Sequence, residues 1–376
     1  MKKICFVTTI SGTLDSFVLN TAKYIHENTD WDITFICNYD KQFEEKLPDY
    51  IHYIPVKMQR GINLDGIKAI AELKRIFKKE KFDLIQYSTP NAALYASIAA
   101  RIVGCKIRNY HLMGFRYLGT HGIGRFILKT IERVSCWNST SIECVSKSNL
   151  DLGIKEKVFP AKKATVVWNG STGGVDLQRF DYSKRDVWRR ELREELGYEA
   201  SDFIYGFVGR ITRDKGINEL LEAFFELENG SKLFLIGNVE DEDTLDENLW
   251  TKAKSHPDVQ IHIAASDIER YFAMIDVLVL PSYREGFGNV VIEAAAVGTP
   301  AIVSNIPGPI DTIDAGKTAL VVNAKDTEAL TEAMQKIQTM DYMGMGRNAE
   351  QFAREKFDSM VLCRKISERK KKLLEN

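Results

Sequence analysis

Pro281-Ser282-Tyr283-Arg284-Glu285-Gly286-Phe287-Gly288-Asn289 follows the apolar run Val277-Leu278-Val279-Leu280 and leads through Val290-Val291-Ile292 into Glu293-Ala294-Ala295-Ala296. A short apolar run ended by proline reads as a buried strand. The paired glycines read as a turn, and the small residues after them as a helix. Strand, glycine turn and helix make up the repeating unit of an α/β sheet. The first helical N–H groups have no intrahelical acceptor and the helix dipole favours negative charge, so such a turn is an anion site. Yet Glu285 stands on the turn and Glu293 inside the helix. Carboxylates beside an anion site make sense when the ligand also carries hydroxyls, as a nucleotide sugar does.

The same alternation runs outward in both directions. Strands are expected over 3–9, 31–37, 83–87, 105–110 and 141–145, with helices over 16–27, 64–79, 92–103 and 124–137. After Ser146, a helix cap, and a glycine-rich hinge at 169–174, a second series begins. Its strands are expected at 203–208, 232–236, 259–261, 277–280, 301–304 and 319–322, with helices between them and a long helical region from 347. A chain of 376 residues exceeds the size at which one core stops growing. The predicted fold class is therefore α/β, two Rossmann-like domains.

Glu-Gly-Phe-Gly-Asn at 285–289, completed by Glu293, resembles the paired-glutamate motif of retaining glycosyltransferases of family four. Gly209-Arg210 with Lys215-Gly216 resembles that family's diphosphate-binding segment. The stretch from Asn169 to Phe180 resembles its interdomain segment, and Ile142-Glu143-Cys144-Val145-Ser146 the strand before it. The resemblance implies the GT-B fold, two Rossmann-like domains facing each other across a cleft. It places an acceptor domain at 1–179, a donor domain at 180–355 and a C-terminal helix, 356–376, that crosses back to the first domain.

Chemistry for this reaction class needs cations and preorganised N–H donors at the departing diphosphate. Arg210 leaves the C-terminal end of a predicted strand, where open parallel sheets bind ligands. It offers a planar fork to phosphate oxygens, and Lys215 a compact charge. By resemblance, Gly209, Gly286, Phe287, Gly288 and Asn289 bring backbone groups to the donor. Glu293 grips ribose hydroxyls, Glu285 faces the transferred sugar, and Asp267 and Ile268 lie near the base. Gly12 and Thr13 belong to the loop expected after the first strand, which lacks the family's usual double glycine. His111 is expected just past a strand end, touching sugar or acting as a base. Asn91 and Arg116 are acceptor-side candidates, Arg116 for a lipid-linked pyrophosphate. No Gly-x-Gly-x-x-Gly follows the first strand, which argues against a nicotinamide enzyme. The acidic run Glu240-Asp241-Glu242-Asp243 reads as a solvated loop, and neither a catalytic metal nor another cofactor is expected.

Net charge is -1, but residues 1–178 hold 25 Lys+Arg against 17 Asp+Glu and the remainder 26 against 35. Either the first half faces an anionic membrane or acceptor, or charge simply varies along the chain. From 123 to 133, apolar residues at 123, 126, 127 and 131 alternate with basic ones at 125, 129 and 133. An interfacial helix fits this pattern. A core-facing helix with a solvated basic face fits it too, and is preferred. Six cysteines without a Cys-x-x-Cys pair point to reduced thiols in the cytosol. No apolar run is long enough to span a bilayer, and the N-terminus reads as a buried strand, not a signal peptide. The expected partners are a nucleotide sugar and a lipid-linked glycan acceptor, with no nucleic acid. The expected place is the cytoplasm, peripheral to the inner face of the membrane. A nucleotide-sugar epimerase on the same fold and a nucleotide-binding protein without turnover are the competing readings.

Overall fold

The computed structural model describes residues 1–58, 65–227, 229–263 and 265–375. It forms two compact units, Met1–Gly173 with Ser359–Asn376, and Gly174–Asp358. The chain thus changes unit inside the glycine-rich segment 169–174 and again at 358/359, a few residues from the expected 179/180 and 355/356. The helix expected from Leu64 is described as Asp65–Glu80, and Leu64 lies outside the described residues.

The first unit is a parallel sheet of seven strands, β1 (Lys3–Val7), β2 (Asp32–Cys37), β3 (Ile51–Pro55), β4 (Leu84–Tyr87), β5 (Ile107–Leu112), β6 (Ser141–Cys144) and β7 (Ala164–Val166), in the order 3-2-1-4-5-6-7. Side chains alternate between two covered faces. Cys5, Val7, Ile85, Tyr87, Tyr110 and Leu112 enter one core with Leu73, Phe77 and Ala96. Ile4, Phe6, Ile33, Phe35 and Leu84 enter the other with Leu14, Val18 and Ile25. Burial on both sides explains why these strands read as apolar runs. β3 and β7 were not expected from the sequence. Both are edge strands, β3 ends in proline and β7 is half-buried, so neither shows that run.

The second face also carries polar groups. Gln86, Asn109 and Ser141 share one register row, and His111 and Glu143 the next row that points the same way. The helix Ser359–Glu375 answers them: Lys370, fully buried, donates to Gln86 Oε1 and lies 3.7 Å from Glu143 Oε2. Arg369 donates to Ser141 Oγ at 3.2 Å. Burial pushes the Glu143 pKa up, but Lys370 foremost outweighs it and holds the carboxyl below its usual range. These contacts seat the C-terminal helix in the first unit.

The second unit is a parallel sheet of six, β8 (Ile204–Val208), β9 (Lys232–Ile236), β10 (Val259–His262), β11 (Val277–Leu280), β12 (Ala301–Ser304) and β13 (Ala319–Val322), ordered 10-9-8-11-12-13. In each sheet the order reverses beside its first strand, between β1 and β4 and between β8 and β11. Crevices at the C-terminal ends of such strand pairs are where open α/β sheets take ligands. Asp276, one residue before β11 and buried, accepts from Arg189 at 2.6 Å, Arg193 at 2.7 Å and the Ile204 amide at 2.8 Å.

Candidate functional site

In the second unit Arg210, Lys215 and Glu285 come together at the β8/β11 reversal. Gly209 N donates to Ile236 O and Ile211 N to Asn238 O, so the exits of β8 and β9 run in step and carry Arg210 past the sheet end. Arg210 donates to Glu240 at 2.8 Å, and both side chains are about half exposed. A short 3₁₀ turn, Arg213–Lys215, then folds back on the exit of β11. Tyr283 N donates to Asp214 O at 2.9 Å, and Arg284 lies 2.7 Å from the Asp214 carboxylate. Gly216, at φ +74°, allows this approach, since a Cβ there would stand 2.2 Å from Pro281 O. The outcome is an ion pair: Lys215 Nζ lies 2.5 Å from Glu285 Oε1, with the side chains 15% and 14% exposed. Ser282 Oγ donates to the same oxygen at 3.0 Å.

The turn after Glu285 ends at Gly288, in the left-handed region at φ +97°, which serves as the N-cap of the helix Asn289–Ala296. Phe287 does not face a ligand with its ring. Its side chain is buried edge-on against Phe357, so any contact it makes to a donor is through its backbone. Glu293 is half-buried in that helix. Loss of hydration pushes its pKa up to about 7, against a smaller opposing pull from Arg179. Arg179 went unnoticed as a site residue. Asp176 Oδ1 accepts from its amide at 3.2 Å, and its guanidinium donates to Glu269 at 2.9 Å and to Ser266 O at 2.6 Å. Asp267 precedes the helix Ile268–Met274 and pairs with Arg270 at 3.2 Å, while Ile268 is half-buried at its start.

The acidic run does not converge. Glu240 holds Arg210, whereas Glu242 takes the Trp250 indole at 2.6 Å and Lys254 at 3.2 Å. Among the described residues no three His, Cys, Asp or Glu side chains form a group able to hold a metal ion. All six cysteines are buried.

In the first unit two of the expected site placements differ. Gly12 and Thr13 lie not in a loop but in the first turn of the helix Ser11–Phe17, Gly12 exposed and Thr13 buried. Ser11 Oγ, bonded to Asp40 at 2.6 Å, anchors that helix start. His111 is not in a loop either, because β5 continues through Leu112, which is core. The imidazole is buried, with Nδ1 3.3 Å from Ser88 Oγ. Burial drives its pKa down to about 4, Glu143 opposing and Lys370 assisting, so it is neutral at physiological pH. Nearby, Thr9 and Thr89 hydroxyls meet at 2.8 Å across the β1/β4 reversal, and Asn91 Nδ2 donates to Tyr95. Arg116 is exposed on the 3₁₀ turn Arg116–Gly119.

Residues 189–356 match the family described as glycosyl transferases group 1, and residues 3–144 the one described as glycosyl transferase 4-like. A capsular polysaccharide biosynthesis glycosyltransferase of Staphylococcus aureus, CapM, is 30% identical over 341 residues, covering 89% of this chain and 88% of that protein. The chain is a group 1 glycosyltransferase. Among other relatives of this glycosyltransferase is the UDP-Gal:alpha-D-GlcNAc-diphosphoundecaprenol alpha-1,3-galactosyltransferase of Escherichia coli. It is 26% identical, over 75% of this chain and 73% of its own. The fold matches that of Anabaena HepE, solved in complex with UDP-glucose, with a TM-score of 0.79 at 20% identity over 99% of this chain and 100% of the other. The chain therefore has the GT-B fold expected for its family. Among its described residues no helix is long and apolar enough to cross a membrane.

Proposed function

We propose that this glycosyltransferase moves a hexosyl or N-acetylhexosaminyl unit, with retention, from a uridine diphosphate sugar to a hydroxyl of a lipid-linked saccharide used for a bacterial surface glycan. The observation that carries the reading is the Lys215–Glu285 pair at the β8/β11 reversal, followed directly by the glycine turn and Glu293. The E. coli relative's name, a transfer from UDP-Gal to a diphosphoundecaprenol-linked sugar, supports the donor and acceptor classes. The HepE complex with UDP-glucose supports the nucleotide.

Arg210, Lys215 and the amides of 286–289 meet the charge that grows on the diphosphate as the C1–O bond breaks. The acceptor oxygen bonds to C1 on the same face and passes its proton to the departing phosphate oxygen. No protein base and no metal are then required. Glu285, freed from Lys215 by the incoming phosphate, turns to sugar hydroxyls. Glu293 accepts from the ribose.

The test is a thermal-shift and turnover screen over uridine, guanosine and adenosine diphosphate sugars, with and without polyprenyl-diphosphate-linked acceptors. Stabilisation by uridine diphosphate sugars and acceptor-dependent release of uridine diphosphate are expected. An isomerised donor formed without acceptor would make the protein an epimerase. Binding with no product across all acceptors would make it a non-catalytic binder.

A pH dependence follows from Glu293. Its carboxyl must be ionised to accept two ribose hydroxyls, and with a folded-state pKa of about 7 it is mostly protonated at pH 6. Donor affinity should therefore rise about tenfold between pH 6 and pH 8. Glu293→Gln should bind weakly with a flat profile. In stability the sign is opposite: this raised pKa contributes fully below the unfolded value, and the contribution is lost as pH rises through about 7. Calorimetric titration at three pH values distinguishes these outcomes, and an affinity that is level from pH 6 to 8 excludes Glu293 from the ribose.

A further inference from the structure

The helix Gly122–Asn138 is mounted the opposite way round from an ordinary surface helix. Its inward face buries Glu132, Ser135, Cys136 and Asn138. Its outward face carries Ile123 at 79% exposure, Phe126 at 69%, Ile127 at 42% and Trp137 at 65%. Ile123, Phe126 and Ile127 cluster at its first turns, and Trp137 stands on the same side at its far end. Single exposed apolar residues need no explanation, but three clustered on one helix face mark a surface that is covered in use.

The charge around these residues is strongly of one sign. Arg101 stacks on the Trp137 ring at 3.6 Å. Arg108 and Lys163 cap the same end, donating to the carbonyls of Asn138 and Ser139 at 2.6 and 2.8 Å. Arg133 is exposed and donates to the carbonyls of Glu156 and Lys157. Arg125 and Lys129 share one carboxylate, Glu156, at 2.8 and 2.7 Å. The helix's own acid, Glu132, is turned inward. Among the residues named on this face, the cations outnumber the one carboxylate, Glu156.

We propose that this face docks flat on an anionic membrane, with Ile123, Phe126, Ile127 and Trp137 among the acyl chains' upper segments and the arginines and lysines at the headgroup phosphates. Apolar cluster, terminal tryptophan and flanking cations are the features of an interfacial helix. A second copy of the chain fits less well, because a two-fold contact through this face would bring the same cations against one another. The proposal rests on the proposed function only in naming where a lipid-linked acceptor is met.

The experiment is co-sedimentation of the full chain with vesicles, without donor or acceptor, so its failure would leave the transfer reading untouched. Vesicles of pure phosphatidylcholine are compared with equal parts phosphatidylcholine and phosphatidylglycerol. The wild type should bind the anionic vesicles in a salt-sensitive way and the neutral ones weakly. The triple variant Ile123→Ser, Phe126→Ser, Ile127→Ser should lose at least about tenfold in vesicle affinity and keep its melting temperature and uridine diphosphate binding. Should the triple variant misfold, Arg133→Glu leaves the apolar cluster intact and should weaken anionic binding alone. Equal binding to both vesicle types, or undiminished binding by the variants, overturns the proposal. So does light scattering that finds a dimer which the triple variant converts to monomer.

Discussion

Lys215→Ala is expected to lower kcat for sugar transfer by about 10²–10³-fold while leaving the chain folded, the scale found when one preorganised donor to a developing anion is removed. The geometry explains why this lysine outweighs its neighbours. Arg210 is half exposed and Arg284 is committed to Asp214, whereas Lys215 is largely withdrawn from water and pointed at the turn that starts the helix Asn289–Ala296. A charge in that setting is screened less than an exposed one. Because the diphosphate gains charge as the bond breaks, the loss should fall on kcat more than on donor KM. Lys215→Arg should restore little, since a planar fork cannot take the place of a compact ammonium in the half-buried pair with Glu285. Folding should suffer by only about 1–2 kcal/mol, from a Glu285 that keeps Ser282 as a donor. Steady-state kinetics of the purified variant decide the matter, and turnover within a few-fold of wild type removes Lys215 from the mechanism.

The turn and helix of that site were readable in sequence because they are local. The run at 277–280 is fully buried in β11, so nothing polar interrupts it. Its exit, the glycine turn and the next helix are consecutive. Bringing Lys215 to Glu285, far off in sequence, needs the strand order that places β8 beside β11. Alternating strands and helices imply a parallel sheet but not that order, so in the sequence only the family resemblance joins the two residues. Arg179 was harder to see. Its relation to Glu293 depends on a short-range Asp176 turn and a salt link to Glu269 on another element, and neither leaves a periodic trace.

Where the reading failed, the missing information was orientation. The 123–133 pattern gives a stripe but not the side on which it lies. Hydropathy assigns the apolar side inward, and the structure turns it outward because Glu132, Ser135 and Asn138 find places beneath the helix. His111 shows the same limit. A histidine after Ile107-Arg108-Asn109-Tyr110 looks like the end of a strand, yet Leu112 still belongs to the core and carries β5 past it. The polar residues of the neighbouring strands β4 and β6 are tolerated because Lys370 and Arg369, more than 200 residues away in sequence, arrive to meet Gln86, Ser141 and Glu143. No local window contains that pairing.

Asp276→Ala should destabilise the second unit by about 3–5 kcal/mol, the cost of removing one partner from a buried ion pair. Two guanidiniums converge on this carboxylate, and Arg193 is 4% exposed. Without Asp276, Arg193 keeps carbonyl acceptors at Met274, Ala200 and Asp202 but no opposing charge, and the Ile204 amide loses its acceptor. Asp276→Asn retains an acceptor oxygen of the same shape and should cost about half as much. For a unit of this size the alanine variant should melt about 6–20 °C lower. The effect reaches the site because Asp276 ties the starts of β8 and β11 to the helix Arg185–Leu196. The exits of those same two strands present Arg210 and Glu285. Loss of uridine diphosphate binding should therefore track the melting transition and not precede it. Calorimetric melting with and without nucleotide would show this, and an unchanged transition in the alanine variant would mean that the pair adds nothing to the fold.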